Sequence, residues 1–182
     1  IVVIDVSAEA RTNPDYLVSR DDVLANERAH GAIPTGAIVV LRTGWSARWP
    51  DAKQYLSDDT KGDPSKLHFP SFGADAARYL VQERRVGALG VDVASIDYGQ
   101  SKDFIVHRIA AAGNVPGLEN LTNVERLPLR GATMIARAPW VANDWTSWAC
   151  PATSPSAFRT TSSWSRSSRA FRSSSNSALF TG

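Results

Sequence analysis

The 182-residue sequence has one cysteine, one methionine and no long apolar run. The single cysteine, Cys150, excludes an internal disulfide framework and is typical of a reducing compartment. No apolar stretch approaches the roughly 20 residues that a membrane-spanning helix needs, and no signal-type segment opens the chain. The 43% hydrophobic and 21% charged content is that of an ordinary globular protein. We therefore expect a cytoplasmic protein with no membrane partner.

Acidic residues are absent from residues 145–182, which contain four arginines. Without those arginines the formal net charge of +2 becomes −2, so we expect no nucleic-acid surface on the body of the chain. Residues 137–182 are a low-complexity Ser/Arg-rich tail, which we predict to be disordered because it has little aliphatic surface to bury. Three interpretations stay open: a nucleic-acid-binding arm, an end without a role, and a departure from the ancestral reading frame near Arg137. The abrupt loss of acids and aliphatics favours the third.

The order of predicted elements indicates an α/β domain over residues 1–136. Continuous apolar runs predict strands, and apolar residues spaced three or four apart predict helices. The predicted strands are 1–6, 37–42, 86–93 and 132–136, and the predicted helices are 20–30 and 73–84. The predicted loops are 8–16 and 50–70, with a short connection at 117–127. Because the first residue already lies in a predicted strand, we interpret the chain as a fragment or a processed product.

The segment Gly90–Pro128 contains the strongest candidate for a functional pair. His107 and Glu119 lie on either side of an apolar stretch that ends in glycine. They can converge as metal ligands, or they can be a buried histidine and a surface carboxylate that never meet. Zinc accepts imidazole nitrogen and carboxylate oxygen in an open site, whereas manganese prefers more oxygen ligands. The residue types alone leave both interpretations open.

Two aspartates in the turn before His107 are candidates for orienting its ring. A metal-binding histidine usually donates its other ring N–H to a carboxylate or carbonyl, and either Asp97 or Asp103 could accept it. Both could equally be turn formers beside Gly99. Lys102 could pair with a substrate carboxylate or with Asp103, and the local ion pair is the favoured interpretation.

Aromatic and histidine side chains outside that segment are weaker candidates. Trp45 leaves a predicted strand at a glycine, so its indole could stack on an aromatic substrate or pack in the core or a subunit interface. His68 and Phe69 lie in the long predicted loop and could belong to a substrate lid. His30, at the end of a predicted helix, is interpreted as a C-terminal cap that interacts with the helix dipole.

Six segments within residues 1–136 resemble the metal-dependent cyclase family, which includes kynurenine formamidases and isatin hydrolases. They are IDVS, LRTGW, LHFPSF, GVDVASIDYG, SKDFIVH and GLENLTNVERLP. SKDFIVH followed by GLEN is fairly specific because it joins two segments at a fixed separation. LRTGW and LHFP are more similar to the isatin-hydrolase branch. The resemblance implies a swivelling β/β/α domain, incomplete here, that assembles as a homodimer or homotetramer.

The resemblance also implies a hydrolase acting on a C–N bond of a small aryl amide. The leading expectation is an arylformamidase acting on N-formylkynurenine in tryptophan catabolism, and the alternative is opening of the isatin lactam. His107 and Glu119 then become ligands of Zn²⁺ or Mn²⁺.

Two departures from the family pattern limit that expectation. The family motif HxGTHxDxPxH, which supplies two histidines and an aspartate to the metal and a further histidine for proton transfer, is not in this sequence. The segment RAPWVANDW also replaces the family's usual continuation after ATMIA. We therefore expect either half of a two-part site or a catalytically inactive, truncated scaffold.

Overall fold

Short apolar runs form the longer strands of this chain, and those of the first and third strands are rich in valine and isoleucine. The computed structural model describes residues 1–58, 60 and 63–135, together with two short strands farther along. The strands are β1 (Val2–Asp5), β2 (Leu17–Val18), β3 (Ile38–Arg42), β4 (Ser71–Phe72), β5 (Ala88–Val91), β6 (Gly117–Glu119), β7 (Thr133–Met134), β8 (Arg159–Thr160) and β9 (Phe180–Thr181). The α-helices are α1 (Ser7–Thr12), α2 (Arg20–His30), α3 (Ala52–Leu56), α4 (Ala74–Arg78) and α5 (Ile105–Ala112).

Four parallel strands build the main sheet in the order β1-β3-β5-β6, and β8 pairs antiparallel with β6. In this register Val39 lies between Val2 and Leu89. Parallel neighbours need a crossover connection, and α2, α4 and α5 occupy those crossovers. The predicted α/β class is confirmed, with a mainly parallel sheet.

The central strands are apolar on both faces because each face has its own core. Val39 and Leu41 belong to the larger cluster, which includes residues of the helices, whereas Val40 packs in a second cluster with Leu118 and Val124. Strands buried on both sides are continuous apolar runs rather than alternating ones. This is why the sequence pattern predicts β1, β3 and β5 correctly.

Helix α2 begins where the sequence predicts, because Ser19 and Asp22 form a reciprocal cap. The Ser19 hydroxyl accepts from the Asp22 backbone N–H at 3.2 Å, and the Asp22 carboxylate accepts from the Ser19 N–H at 2.7 Å. Gly31, at φ 90°, follows the last helical residue. Helix α4 continues into a π-helical turn at Tyr79–Glu83, so the second predicted helix is also confirmed.

Replacing Ser19 with alanine is expected to lower the free energy of unfolding by about 1 kcal/mol, because the Asp22 N–H loses its acceptor. Urea denaturation followed by circular dichroism measures the loss. Thr12→Ala is the matched control, since the exposed Thr12 hydroxyl bonds only the Glu9 carbonyl within its own helix. The control is expected to stay within about 0.5 kcal/mol of wild type. Equal losses in the two variants would contradict a specific capping role.

Three segments predicted as loops or connections contain regular structure. Helix α1 occupies most of the predicted loop 8–16, and α3 lies inside 50–70. The connection predicted at 117–127 contains β6, a strand of the main sheet. These predictions were wrong because the elements are short, and β6 has only the residues Gly-Leu-Glu, too few for a periodic pattern.

The predicted strand 132–136 is observed as β7, but it pairs with β9 in a separate two-stranded sheet. The prediction of a disordered tail over 137–182 falls outside the described residues, apart from the backbone of β8 and β9. In the part of the chain that is described, no helix is long and apolar enough to cross a bilayer.

Candidate metal centre

The carboxyl ends of the parallel strands place polar side chains together at one edge of the sheet. Glu119 is the last residue of β6, and Asp92 directly follows β5. In open α/β sheets this edge is where ligands bind. The segment between β5 and α5 lies at the same edge and contributes Asp97, while α5 contributes His107.

Asp97 fixes both the start of α5 and the ring of His107. Its carboxylate, only 1% exposed, accepts from the backbone N–H of Val106 at 2.9 Å and of His107 at 3.1 Å. It also lies 2.6 Å from His107 Nδ1. Burial by itself raises the pKa of this carboxyl, but the hydrogen bonds from His107 and Val106 outweigh burial and hold the pKa below its usual value. Asp97 is therefore an anion that directs Nε2 of the ring away from itself.

The second ring nitrogen of His107, Nε2, faces Glu119. The Glu119 Oε1 atom lies 3.3 Å from His107 Nε2 and accepts from the Ile96 backbone N–H at 3.0 Å. The side chain is almost fully buried at the end of β6. His107 thus lies between two buried carboxylates, with one ring nitrogen facing each.

The two carboxylates make this imidazole unusually basic. Burial lowers the pKa of His107, but the hydrogen bonds to Asp97 and Glu119 and their negative charges outweigh burial and raise the pKa to about 9. In the protein without a cation, the ring is therefore an imidazolium at neutral pH. A cation that takes the position of the Nε2 proton would have to displace it, so binding is expected to release a proton.

The spacing of His107 Nε2 and Glu119 Oε1 fits two ligands of one ion. Donors about 2.1 Å from a shared cation lie about 3.0–3.4 Å apart when the angle between them is 90° to 110°. The observed 3.3 Å lies in that range. Within residues 1–58, 60 and 63–135, however, no group of three or more His, Cys, Asp or Glu side chains could hold a metal ion. The pair suits one side of a cation, and further ligands would have to come from elsewhere.

The second candidate aspartate does not join this centre. Asp103 is exposed and is 3.4 Å from the Ser101 hydroxyl, which lies in the same turn. The favoured ion pair between Lys102 and Asp103 is not among the salt bridges of the described residues, so that interpretation was wrong. The turn therefore directs Asp97 inward and Asp103 toward solvent, a difference that the sequence alone could not predict.

The structure places Trp45 in the core. The residue is 1% exposed, its indole N–H donates to the Tyr55 carbonyl at 2.8 Å, and the Arg48 guanidinium lies 3.3 Å from the ring centroid. Of the two interpretations for this residue, core packing describes the observed position. An indole covered in this way has no free face for stacking in this conformation.

The candidate lid residues lie around a different polar contact. His68 Nδ1 is 2.8 Å from an Asp15 carboxylate oxygen and 3.0 Å from the Gln100 amide nitrogen. Its neighbour Phe69 is buried in the larger core. Gln100 belongs to the segment between Asp97 and His107, so the loop that carries His68 packs against the segment that carries the centre. His30 is exposed at the end of α2.

Three functional candidates were missed by the sequence analysis. Asp92 is buried and accepts from the N–H and hydroxyl of Thr43 at 3.0 and 2.6 Å and from the N–H of Gly44 at 2.9 Å. Burial raises the pKa of its carboxyl in spite of these bonds. The signal was available, because Asp92 is the first polar residue after a buried strand.

Tyr55 and Asn120 form a hydrogen-bonded pair next to Glu119. The Tyr55 hydroxyl donates to Asn120 Oδ1 at 3.0 Å, and Asn120 follows Glu119 directly with a φ of 56°. Burial and the nearby charges of Asp92 and Glu119 raise the pKa of the Tyr55 phenol. No sequence signal predicts this pair, since Tyr55 comes from a distant segment that was predicted to be loop.

The fold and the site together define a class of domain. It has a mainly parallel α/β sheet and holds a histidine between two carboxylates at the carboxyl ends of the strands. The chain belongs to the cyclase family: the Cyclase family model matches residues 1–98. An isatin hydrolase from Roseibium aggregatum is 36% identical over 138 residues, which are 74% of this chain and 51% of that protein. The family predicted from the sequence motifs is confirmed.

Solved structures agree with this assignment. Isatin hydrolase A from Ralstonia solanacearum has a TM-score of 0.68 at 39% identity, over 74% of this chain and 51% of that one. Isatin hydrolase A from Labrenzia aggregata, bound to benzyl benzoate, has a TM-score of 0.67 at 32% identity, over 74% and 52%. This chain therefore spans about half the length of the relatives that it matches.

Proposed function

We propose that this chain carries one half of the active site of a metal-dependent hydrolase that opens a C–N bond in a cyclic aryl amide of the isatin type. The observation that carries the proposal is His107, held by Asp97 on one ring nitrogen and facing Glu119 with the other. The matched relatives that are named isatin hydrolases support a lactam substrate. An aryl formamide such as N-formylkynurenine, the leading expectation from the sequence, is the second candidate substrate, since it is an acyclic amide with the same kind of C–N bond on an aryl ring.

In this proposal His107 and Glu119 hold a zinc or manganese ion. Asp97 accepts a hydrogen bond from the Nδ1–H group, which sets the ring tautomer and makes Nε2 the ligand atom. A bound divalent cation would polarise a carbonyl and lower the pKa of water to about 7. Two protein donors are fewer than the three that catalytic zinc sites usually have. By resemblance to the family, the others would come from an HxGTHxDxPxH segment.

Several finer expectations from the sequence belong to the same proposal. The domain would be a swivelling β/β/α unit over residues 1–136, followed by a separate tail at 137–182. It would act in the cytoplasm as a homodimer or homotetramer. A catalytically inactive scaffold is the rival from another class, and it predicts a chain that folds but neither binds metal nor hydrolyses amides.

Metal binding by the full 182-residue chain tests the proposal. In equilibrium dialysis against Zn²⁺ or Mn²⁺, wild type is expected to bind one ion per chain, with the metal measured by mass spectrometry; because two donors form only part of a site, the ion is expected to be lost when free metal is removed. His107→Gln is expected to lower the affinity at least tenfold because it removes the imidazole ligand. His30→Gln is the matched control, since His30 is exposed at the end of α2. Hydrolysis of isatin is monitored on the same samples through the change in isatin absorbance.

Three results together would support the inactive scaffold. They are less than stoichiometric metal in wild type, equal metal binding by the two histidine variants, and no turnover of isatin or formylkynurenine. That combination would overturn the enzymatic proposal for this polypeptide.

A further inference from the structure

Phe104 is an aromatic residue in a position that ordinary packing does not explain. The residue is 51% exposed, and it is the one aromatic among the three large hydrophobic residues that are exposed in the described part of the chain. Its backbone has φ 50° and ψ 44°, in the left-handed region. A bulky residue adopts this conformation rarely, because its Cβ atom comes too close to the following carbonyl oxygen in the left-handed region. The chain thus holds a strained residue here without burying its ring.

Bonds on both sides of Phe104 hold this conformation. The Phe104 N–H donates to the Ser101 hydroxyl at 3.2 Å, and the Phe104 carbonyl accepts from the Arg108 N–H at 2.9 Å as α5 begins. Asp97 then holds the next turn through Val106 and His107. Backbone strain that the surroundings enforce is concentrated at functional sites, so the observed outlier justifies a functional hypothesis.

The ring of Phe104 lies against the ring of His107. Their centroids are 6.0 Å apart and their planes meet at 79°, which is an edge-to-face contact. Only part of the phenyl surface is used in this contact, because half of the residue remains exposed. An exposed aromatic surface beside the imidazole is available to a second flat ring, through offset stacking or another edge contact.

We infer that Phe104 is a specificity-determining residue that contacts the aromatic ring of the substrate and selects planar aryl amides over saturated ones. The inference rests on the proposed function and deepens it, because it explains how a centre that acts on an amide bond can recognise the ring attached to that bond. Phe104 has no part in holding the cation or moving a proton. Its role is to contact the ring while the amide lies at His107.

A matched pair of probes tests this inference on the full chain with Zn²⁺ present. Formanilide carries a flat ring on its formamide nitrogen, and N-cyclohexylformamide carries a saturated ring of similar size. Dissociation constants from ligand-observed NMR give the preference for the aromatic probe. Phe104→Leu is expected to lower that preference about two- to tenfold, the range that corresponds to one aromatic pair. Phe104→Tyr is expected to retain it within about twofold.

The controls separate this role from the alternatives. Leu17→Ala alters another exposed apolar residue and is expected to leave the preference unchanged. A preference that persists in Phe104→Leu overturns the inference, as does a wild-type chain that binds neither probe. An altered sedimentation coefficient of Phe104→Leu with an unchanged preference would assign the ring to a contact between copies of the chain and overturn it too. A lost preference without hydrolysis of either probe supports the inference and counts against the proposed reaction.

Discussion

Replacing Asp97 with asparagine is expected to lower the free energy of unfolding by about 2–4 kcal/mol. The buried Asp97 carboxylate accepts three hydrogen bonds, two from the backbone of α5 and one from the His107 ring. Asparagine has one oxygen where the carboxylate has two, so an amide NH₂ would face a donor. The negative charge that opposes the imidazolium is lost as well.

Two measurements check this expectation. Urea denaturation gives the free energy of unfolding, and NMR titration of the ring protons gives the pKa of His107, which is expected to fall from its value of about 9 in wild type. Asp103→Asn is the matched control, because Asp103 is exposed and lies in the same turn. It is expected to change stability by less than about 0.5 kcal/mol. Similar losses in both variants would mean that Asp97 has no special role.

The stability of the metal-free protein is expected to fall as the pH rises from about 6.5 to about 9. The folded protein binds a proton at His107 more tightly than the unfolded chain does, since the pKa is raised from 6.5 to about 9. This stabilisation is complete below the unfolded pKa and is lost as the pH passes through the folded one. The difference between the two pKa values corresponds to about 3 kcal/mol, an upper value because solvent reaches part of the ring.

Urea denaturation at a series of pH values, with a chelator present, measures this dependence. His107→Gln is the reference, because subtraction of its pH profile leaves the contribution of the histidine. The Ile1 amino group also contributes to the pH dependence. Burial and the charge of Arg130 lower its pKa, so it contributes in the opposite direction, and it is present in both proteins. Parallel profiles for wild type and His107→Gln would show that the two carboxylates do not raise the His107 pKa.

The elements that the sequence predicted well are those whose pattern repeats within one element. Strand β3 is continuously apolar because both its faces are buried, and α2 combines a serine cap with apolar periodicity. Strand β6 could not be predicted because three residues contain no period, and its position in the sheet comes from pairing with β5. Local pattern thus reveals long elements, whereas short ones depend on tertiary contacts.

The candidate site follows the same division. The sequence proposed His107 and Glu119 as a pair, and the structure brings their side chains to 3.3 Å. It could not decide between Asp97 and Asp103, because the choice depends on which aspartate the turn directs inward. Tyr55 was missed because it reaches Asn120 from a segment 65 positions away. The chemistry of metal binding indicated which residue types to expect. The fold determined which individual residues of those types lie close together.

The carboxylate of Asp97 is shared between the His107 ring and the start of α5. Its two oxygen atoms accept from the first amides of the helix and from the imidazole, so displacement of this carboxylate would release the ring and the helix start together. Exposed side chains usually change rotamer within nanoseconds, whereas local unfolding of a helix end is slower. The orientation of His107 is therefore expected to last no longer than the start of the helix itself.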